Sequence, residues 1–139
     1  MATYNQQKIN LKNVILPTIY EYLLILLPVS IYVGIEAMHT GPRFFYTSPE
    51  WSIASIFLNF QAIALYYRRL NNSNRKINAD FLLILILGVV AITILSSLNA
   101  YASLTEIDTN GKIALRICLL AVSSLFFFVM VLASKTENN

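Results

Sequence analysis

The chain is poor in the residues from which most enzyme and metal sites are built. Its 139 residues include one cysteine, one histidine and four glycines. Cys118 has no partner for an intrachain disulfide and no metal ligand spaced nearby, so we interpret it as a small packing residue. His39 is expected in a loop after the first apolar segment and has no ligand partners nearby in the sequence. Since we also find no paired carboxylate motif and no glycine-rich phosphate loop, the sequence predicts a non-enzymatic protein without metal or cofactor.

Charged residues are also scarce, at 12% of the chain against about 25% in ordinary soluble domains. Hydrophobic residues make up 57%. A domain of this length has too much surface to hide such a composition from water, so we predict that membrane lipid covers it. The net charge of +3 is modest, and the basic residues fall in loops, which argues against direct binding to nucleic acid.

Four long apolar segments predict four membrane-spanning helices in a single domain, residues 1–139. A bilayer core about 30 Å thick needs roughly 20 helical residues. The expected spans cover residues 14–35, 51–67, 81–101 and 113–134. The predicted fold class is therefore all-α, an integral membrane four-helix bundle. The first segment is too long for a signal peptide and lacks a clean small-x-small cleavage site, so we expect it in the mature protein.

The basic residues predict how these spans are oriented. Seven of them flank the same side of the predicted bundle: Lys8, Lys12, Arg68, Arg69, Arg75, Lys76 and Lys135. The opposite side has only Arg43, Lys112 and Arg116. The positive-inside rule assigns the seven to the cytoplasm, so both termini should be cytoplasmic. Arg116 lies one turn into the fourth span, and we expect its side chain to snorkel to the headgroups.

Weakly polar residues inside the spans are the first candidates for function. In the second span, Ser52, Ser55 and Asn59 recur at spacings of three and four, so they share one helix face. One interpretation is helix packing, within one chain or between subunits of a homo-oligomer, with seams at Ser55 and Asn59 and at Cys118 and Ala121. The other is a polar pore or substrate path lined by Ser55, Asn59 and their neighbours.

Glu21 is the most informative single residue, because a carboxylate about 10 Å into the first span is unfavourable unless it is paired, protonated or hydrated. Pro17 and Pro28 bracket it and can bend the helix. A structural ion pair with Arg68 or Arg69 is one interpretation. A proton or cation site is the other.

The loop between the second and third spans, residues 68–80, is the predicted contact for a cytosolic partner protein or for anionic lipid. Its basic residues lie close to the cytoplasmic leaflet, where each is worth about 1 kcal/mol near an anionic surface. These residues are Arg68, Arg69, Arg75 and Lys76. The alternative is that they only set the topology.

The layout resembles small four-span membrane proteins of bacterial anti-phage systems, such as the membrane subunit of the Kiwa system and the phage exclusion protein RexB. The shared features are a short polar N-terminus, a first span interrupted by Pro17 and Pro28, near-absent tails and the inner loop from Arg68-Arg69-Leu70 to Arg75-Lys76. The resemblance covers most of the chain as topology and transfers no site residues. It implies a membrane sensor or effector that acts when a phage attacks. Combined with the small-residue helix faces, which favour a homo-oligomer, it predicts an oligomeric inner-membrane protein, with ion conduction as one mode of action.

The chain is also similar to small multidrug transporters, which have four spans and a glutamate in the first. Glu21 would match their proton- and substrate-binding carboxylate. The loops here are longer, the first span has two prolines, and the third span has a single glycine, Gly88. This resemblance implies a proton-coupled transporter as the alternative function.

Overall fold

The computed structural model describes residues 11–72, 79–105 and 107–136, and this part of the chain is helical with no strand. The prediction of an all-α protein is confirmed. The helices in chain order are α1 (Leu11–Thr40), α2 (Phe44–Thr47), α3 (Glu50–Asn72), α4 (Ala79–Thr105) and α5 (Asn110–Thr136).

Three helices in the described part are long and apolar enough to cross a membrane. Their spanning portions are Ile15–Thr40, Leu82–Thr105 and Asn110–Leu132. They indicate a multi-pass membrane protein. α3 is not among them, because serine, asparagine, glutamine and arginine residues lower its hydropathy. The fourth span, over residues 51–67, therefore stays a prediction.

The first helix continues past residue 35, where we expected its span to end, and reaches Thr40. Pro17 and Pro28 lie inside it and do not end it. The helix ends at Gly41, whose φ of 112° suits glycine and whose amide donates to the Ala37 carbonyl at 2.9 Å. The short helix α2 follows, and we did not predict it from the sequence.

α3 is the central helix of the bundle. It makes its most extensive contacts with α5 and the next most extensive with α4, while α1 packs against both α3 and α5. The Ser52 hydroxyl donates to Asn99 Oδ1 at 3.2 Å, which joins the beginning of α3 to the end of α4. The Tyr22 and Ser124 hydroxyls are 2.9 Å apart and join α1 to α5.

The polar and apolar residues are distributed as expected for a lipid-covered protein. The described interior contains nine buried polar residues against eleven buried hydrophobic ones. Many large apolar side chains face outward instead, such as Leu24 at 77% exposure and Leu104 at 75%. In water this surface would far exceed the apolar patches of soluble monomers, whereas a bilayer covers it with acyl chains.

Candidate functional site: polar groups inside the bundle

The guanidinium of Arg116 is fully buried at the end of the bundle where α3 and α5 begin. Its Nε donates to Asn99 Oδ1 at 3.1 Å, and its Nη2 forms an ion pair with Asp108 Oδ1 at 3.1 Å. Nη1 also donates to the Thr47 carbonyl, and Nη2 to the Ser103 hydroxyl. These five residues form what we call the Arg116 cluster. The expectation that Arg116 snorkels to the headgroups is wrong, because Asp108 and three other partners hold it inside.

The hydrogen-bonding capacity of Arg116 is fully used within the cluster. A guanidinium has five N–H donors, one on Nε and two on each terminal nitrogen. Nε reaches Asn99, Nη1 reaches Thr47 and Asp108, and Nη2 reaches Ser103 and Asp108. An anionic ligand would have to displace one of these acceptors. We conclude that the cluster has a structural role. It joins Thr47 and Asp108, which lie at the connections between helices, to α4 and α5.

Asn99 is the second centre of this cluster. Its Oδ1 accepts from both Ser52 and Arg116, and its Nδ2 donates to the Lys112 carbonyl at 3.0 Å. One side chain thereby joins α3, α4 and α5. Neither Asn99 nor Asp108 stands out in the sequence as a partner of Arg116. An arginine inside an apolar helix requires a partner, and Asp108, eight residues earlier, was the signal that could have identified one.

Ser55 and Asn59 are both fully buried on α3. The Ser55 hydroxyl donates to the Trp51 carbonyl at 3.0 Å. Because this face packs inside a single chain, the predicted subunit seam at Ser55 and Asn59 is wrong. Cys118 and Ala121, which formed the other predicted seam, are exposed on α5, so Cys118 does not pack inside the chain as we expected.

Four polar side chains in the middle of the bundle differ from the Arg116 cluster, because their polar atoms have no hydrogen-bond partner among the described residues. The Asn59 amide oxygen and nitrogen are buried and make no hydrogen bond with any described residue. The same holds for the buried hydroxyl oxygens of Thr93, Ser96 and Ser123. We call these four residues the Asn59 layer.

Glu21 is half-buried on α1, between Thr18, which is 1% exposed, and the partly buried Tyr22. It therefore lies toward the packed side of α1, whereas Leu23 and Leu24 face outward. Both interpretations of Glu21, the ion pair and the proton or cation site, stay open.

The predicted contact loop is mostly beyond what the structure describes. Arg68 is exposed near the end of α3. The Arg69 side chain and the whole of Arg75 and Lys76 lie outside the described residues. A contact of residues 68–80 with a partner or with lipid therefore stays a prediction. Within the described ranges, no three His, Cys, Asp or Glu residues are grouped so that they could hold a metal ion.

No family model, no curated protein and no solved structure matches this chain. Its class is therefore defined by the fold alone. It is an all-helical protein with three helices able to cross a membrane and with polar as well as apolar side chains buried in its described interior.

Proposed function

We propose that the chain is a non-enzymatic, four-span subunit of the bacterial inner membrane that works as a homo-oligomeric sensor or effector of anti-phage defence. The observation that carries the membrane part of the proposal is the enclosure of polar side chains behind an apolar outer surface. The defence role is supported by the resemblance in layout alone.

The position of α3 supports a fourth span. Its 23 residues extend about 35 Å, enough for a bilayer core. Its outward side chains include Ile53, Phe57 and Phe60, while Ser52 and Asn59 are buried. The low hydropathy of α3 thus reflects the face hidden from lipid. We infer from the extensive packing of α3 along α4 and α5 that it follows them across the bilayer.

The distribution of basic residues supports cytoplasmic termini. The beginnings of α1 and α4 and the ends of α3 and α5 lie at one end of the bundle, opposite the Arg116 cluster. In the sequence, the seven basic residues fall in or next to these segments. The other three basic residues, Arg43, Lys112 and Arg116, belong to the opposite end. The positive-inside rule counts Lys and Arg rather than net charge, so the seven-to-three split carries the inference.

Cysteine labelling in a Cys118→Ser background tests the four-span topology. We expect Phe57→Cys to resist a membrane-impermeant maleimide applied to either face, because lipid covers it. The matched variant Asn71→Cys, exposed at the end of α3, should react only from the cytoplasmic side. Labelling of Phe57→Cys from either face, or of Asn71→Cys from the periplasm, contradicts the topology.

Phage challenge tests the defence role. Cells that express the chain together with its genomic neighbours should form fewer plaques than cells with an empty vector. A membrane-potential dye recorded during infection separates an ion-conducting effector from a sensor that does not depolarise the membrane. Unchanged plaque counts over a broad phage panel would refute the defence role and leave the topology intact.

The cytoplasmic loop, residues 68–80, is the proposed contact for a cytosolic partner protein. The double variant Arg75→Gln and Lys76→Gln keeps Arg68 and Arg69 to hold the orientation. We expect it to lose partner capture in a pull-down while its topology is unchanged. Undiminished capture would mean that these charges only set topology.

A proton-coupled multidrug-type transporter is the second candidate. The observation that favours it is the half-buried position of Glu21 on the packed side of α1, between two prolines. A carboxylate there can alternate between charged and neutral forms as substrate and proton exchange. Drug-resistance assays in cells distinguish this function from defence.

A further inference from the structure

The middle of the bundle holds polar atoms that the described residues leave without hydrogen bonds. Asn59, Ser96 and Ser123 are each 0% exposed. Both polar atoms of the Asn59 amide and both serine hydroxyls lack partners in the described part of the chain. Buried amides and hydroxyls almost always have a partner, either protein or ordered water, because leaving them unpaired is unfavourable.

The helix register brings Asn59 and Ser123 to the same depth. Ser52 and Arg116 both bond to the Asn99 amide oxygen, which aligns α3 with α5 at that level. Seven residues make two helical turns and return to nearly the same face, about 10 Å further along. Asn59 is seven residues after Ser52, and Ser123 is seven after Arg116. Both side chains therefore lie on inward faces, two turns deeper than the Arg116 cluster.

Ser96 lies between these two levels. α4 runs toward the Arg116 cluster, so residues before Asn99 lie farther from that cluster. Ser96 precedes Asn99 by three residues and therefore lies about one turn deeper on the same face of α4. Thr93, one further turn along α4, also has a buried hydroxyl oxygen. Buried polar groups from three helices thus lie within about two turns of the Arg116 cluster, toward the middle of the bundle. The hydrogen bonds of that cluster are themselves complete.

The missing partner must both donate and accept hydrogen bonds. The Asn59 Nδ2 needs an acceptor, and Oδ1 needs a donor. A metal cation would satisfy the oxygens and repel the N–H groups, and an anion would do the reverse. Water satisfies both and is small enough for an interior closed to the outside. We propose that Asn59, Ser96 and Ser123 form an internal hydration site that holds ordered water between α3, α4 and α5.

Solid-state NMR of the full chain in lipid vesicles tests this site directly. Magnetisation from water should reach the Asn59 side-chain amide at least about threefold faster than it reaches the ring of Phe127, which is buried in the apolar cluster. Asn59→Leu identifies the signal by removing it. Equal build-up for Asn59 and Phe127 would overturn the proposal.

Thermal unfolding provides an independent test. If water bridges the three side chains, Asn59→Leu displaces that water and leaves the Ser96 and Ser123 hydroxyls without a hydrogen-bond partner. The midpoint temperature of unfolding should then fall by about 3 °C or more. Adding Ser96→Ala and Ser123→Ala should recover most of that loss. Ser97→Ala, at an exposed neighbouring serine, is the matched control and should not shift the midpoint. A rise in midpoint for Asn59→Leu alone would indicate a dry interior. The hydration site does not depend on the defence role, so either can fail separately.

Discussion

At the scale of single residues, Arg116 is the side chain whose loss should damage the bundle most. Arg116→Met leaves Asp108 without its ion pair and removes one of the two donors to Asn99 Oδ1, the Ser52 hydroxyl being the other. Removing one partner of a buried ion pair lowers the free energy of unfolding by about 3–5 kcal/mol. Asp108 is 22% exposed, so water partly replaces its partner, and we place the loss at the lower end of that range. Denaturant unfolding in mixed micelles measures the change.

Two comparisons make this result specific. Arg43→Met removes an exposed basic residue from the same end of the bundle and should change stability by less than about 0.5 kcal/mol. Asp108→Asn should lower the free energy of unfolding by less in the Arg116→Met background than in the unsubstituted chain, because the two residues interact. Additive losses would mean that the ion pair contributes little.

Glu21 separates the two candidate functions at the same scale. Glu21→Gln keeps the size and much of the hydrogen bonding but removes the charge and the titratable proton. A proton or cation site predicts lost activity, in plaque or drug-resistance assays, at a normal yield of assembled protein. A structural ion pair predicts a reduced yield instead, because its partner charge is left unpaired. Full activity at normal yield would eliminate Glu21 as a site and remove the main support for the transporter.

At the scale of the elements, alanine substitutions at two glycines should have opposite effects on stability. One glycine lies inside α1 and the other directly after it. Gly41 has a φ of 112°, which side chains rarely adopt, so Gly41→Ala should destabilise the chain by about 1–2 kcal/mol. Gly34 lies inside α1 with open space around its Cα, so Gly34→Ala should stabilise the helix by about 0.5–1 kcal/mol. Thermal unfolding of the pair measures both. A neutral Gly41→Ala would mean that the turn between α1 and α2 relaxes.

At the scale of the whole molecule, the outward face of α5 predicts how copies associate. Ala114, Cys118 and Ala121 are exposed and spaced by four and three residues, so they form a strip where another helix could approach closely. Oxidation of native membranes should therefore link two chains through Cys118. Cys118→Ser should abolish the linked band.

Native mass spectrometry in nanodiscs provides the second measure of assembly. We expect an oligomer of the unmodified chain, and of Cys118→Ser as well, since the disulfide is only a probe of proximity. A monomer in nanodiscs together with no linked band would refute the homo-oligomer. A linked band that appears only after solubilisation would be attributed to random collision.

Composition and local hydropathy were sufficient to predict the all-α fold and the three apolar helices. Both predictions depend on residue hydropathy summed over one continuous segment. Residues that are close in the sequence are therefore sufficient to make them. Helix ends were less accurate. α1 continues to Thr40 because the chain stays helical until Gly41 permits a positive φ, a conformational choice that hydropathy does not record.

That the chain is helical and presents a largely apolar surface follows from the order of its residues alone. The burial of Arg116, the contact of Asn99 with three helices, the inward face of Asn59 and the outward face of Cys118 follow only from helix packing. These features depend on which faces of separate helices meet, and residue order along one helix does not fix that. Ser52, Asn99 and Arg116 come from three different helices, and their shared hydrogen bonds exist only after those helices have packed.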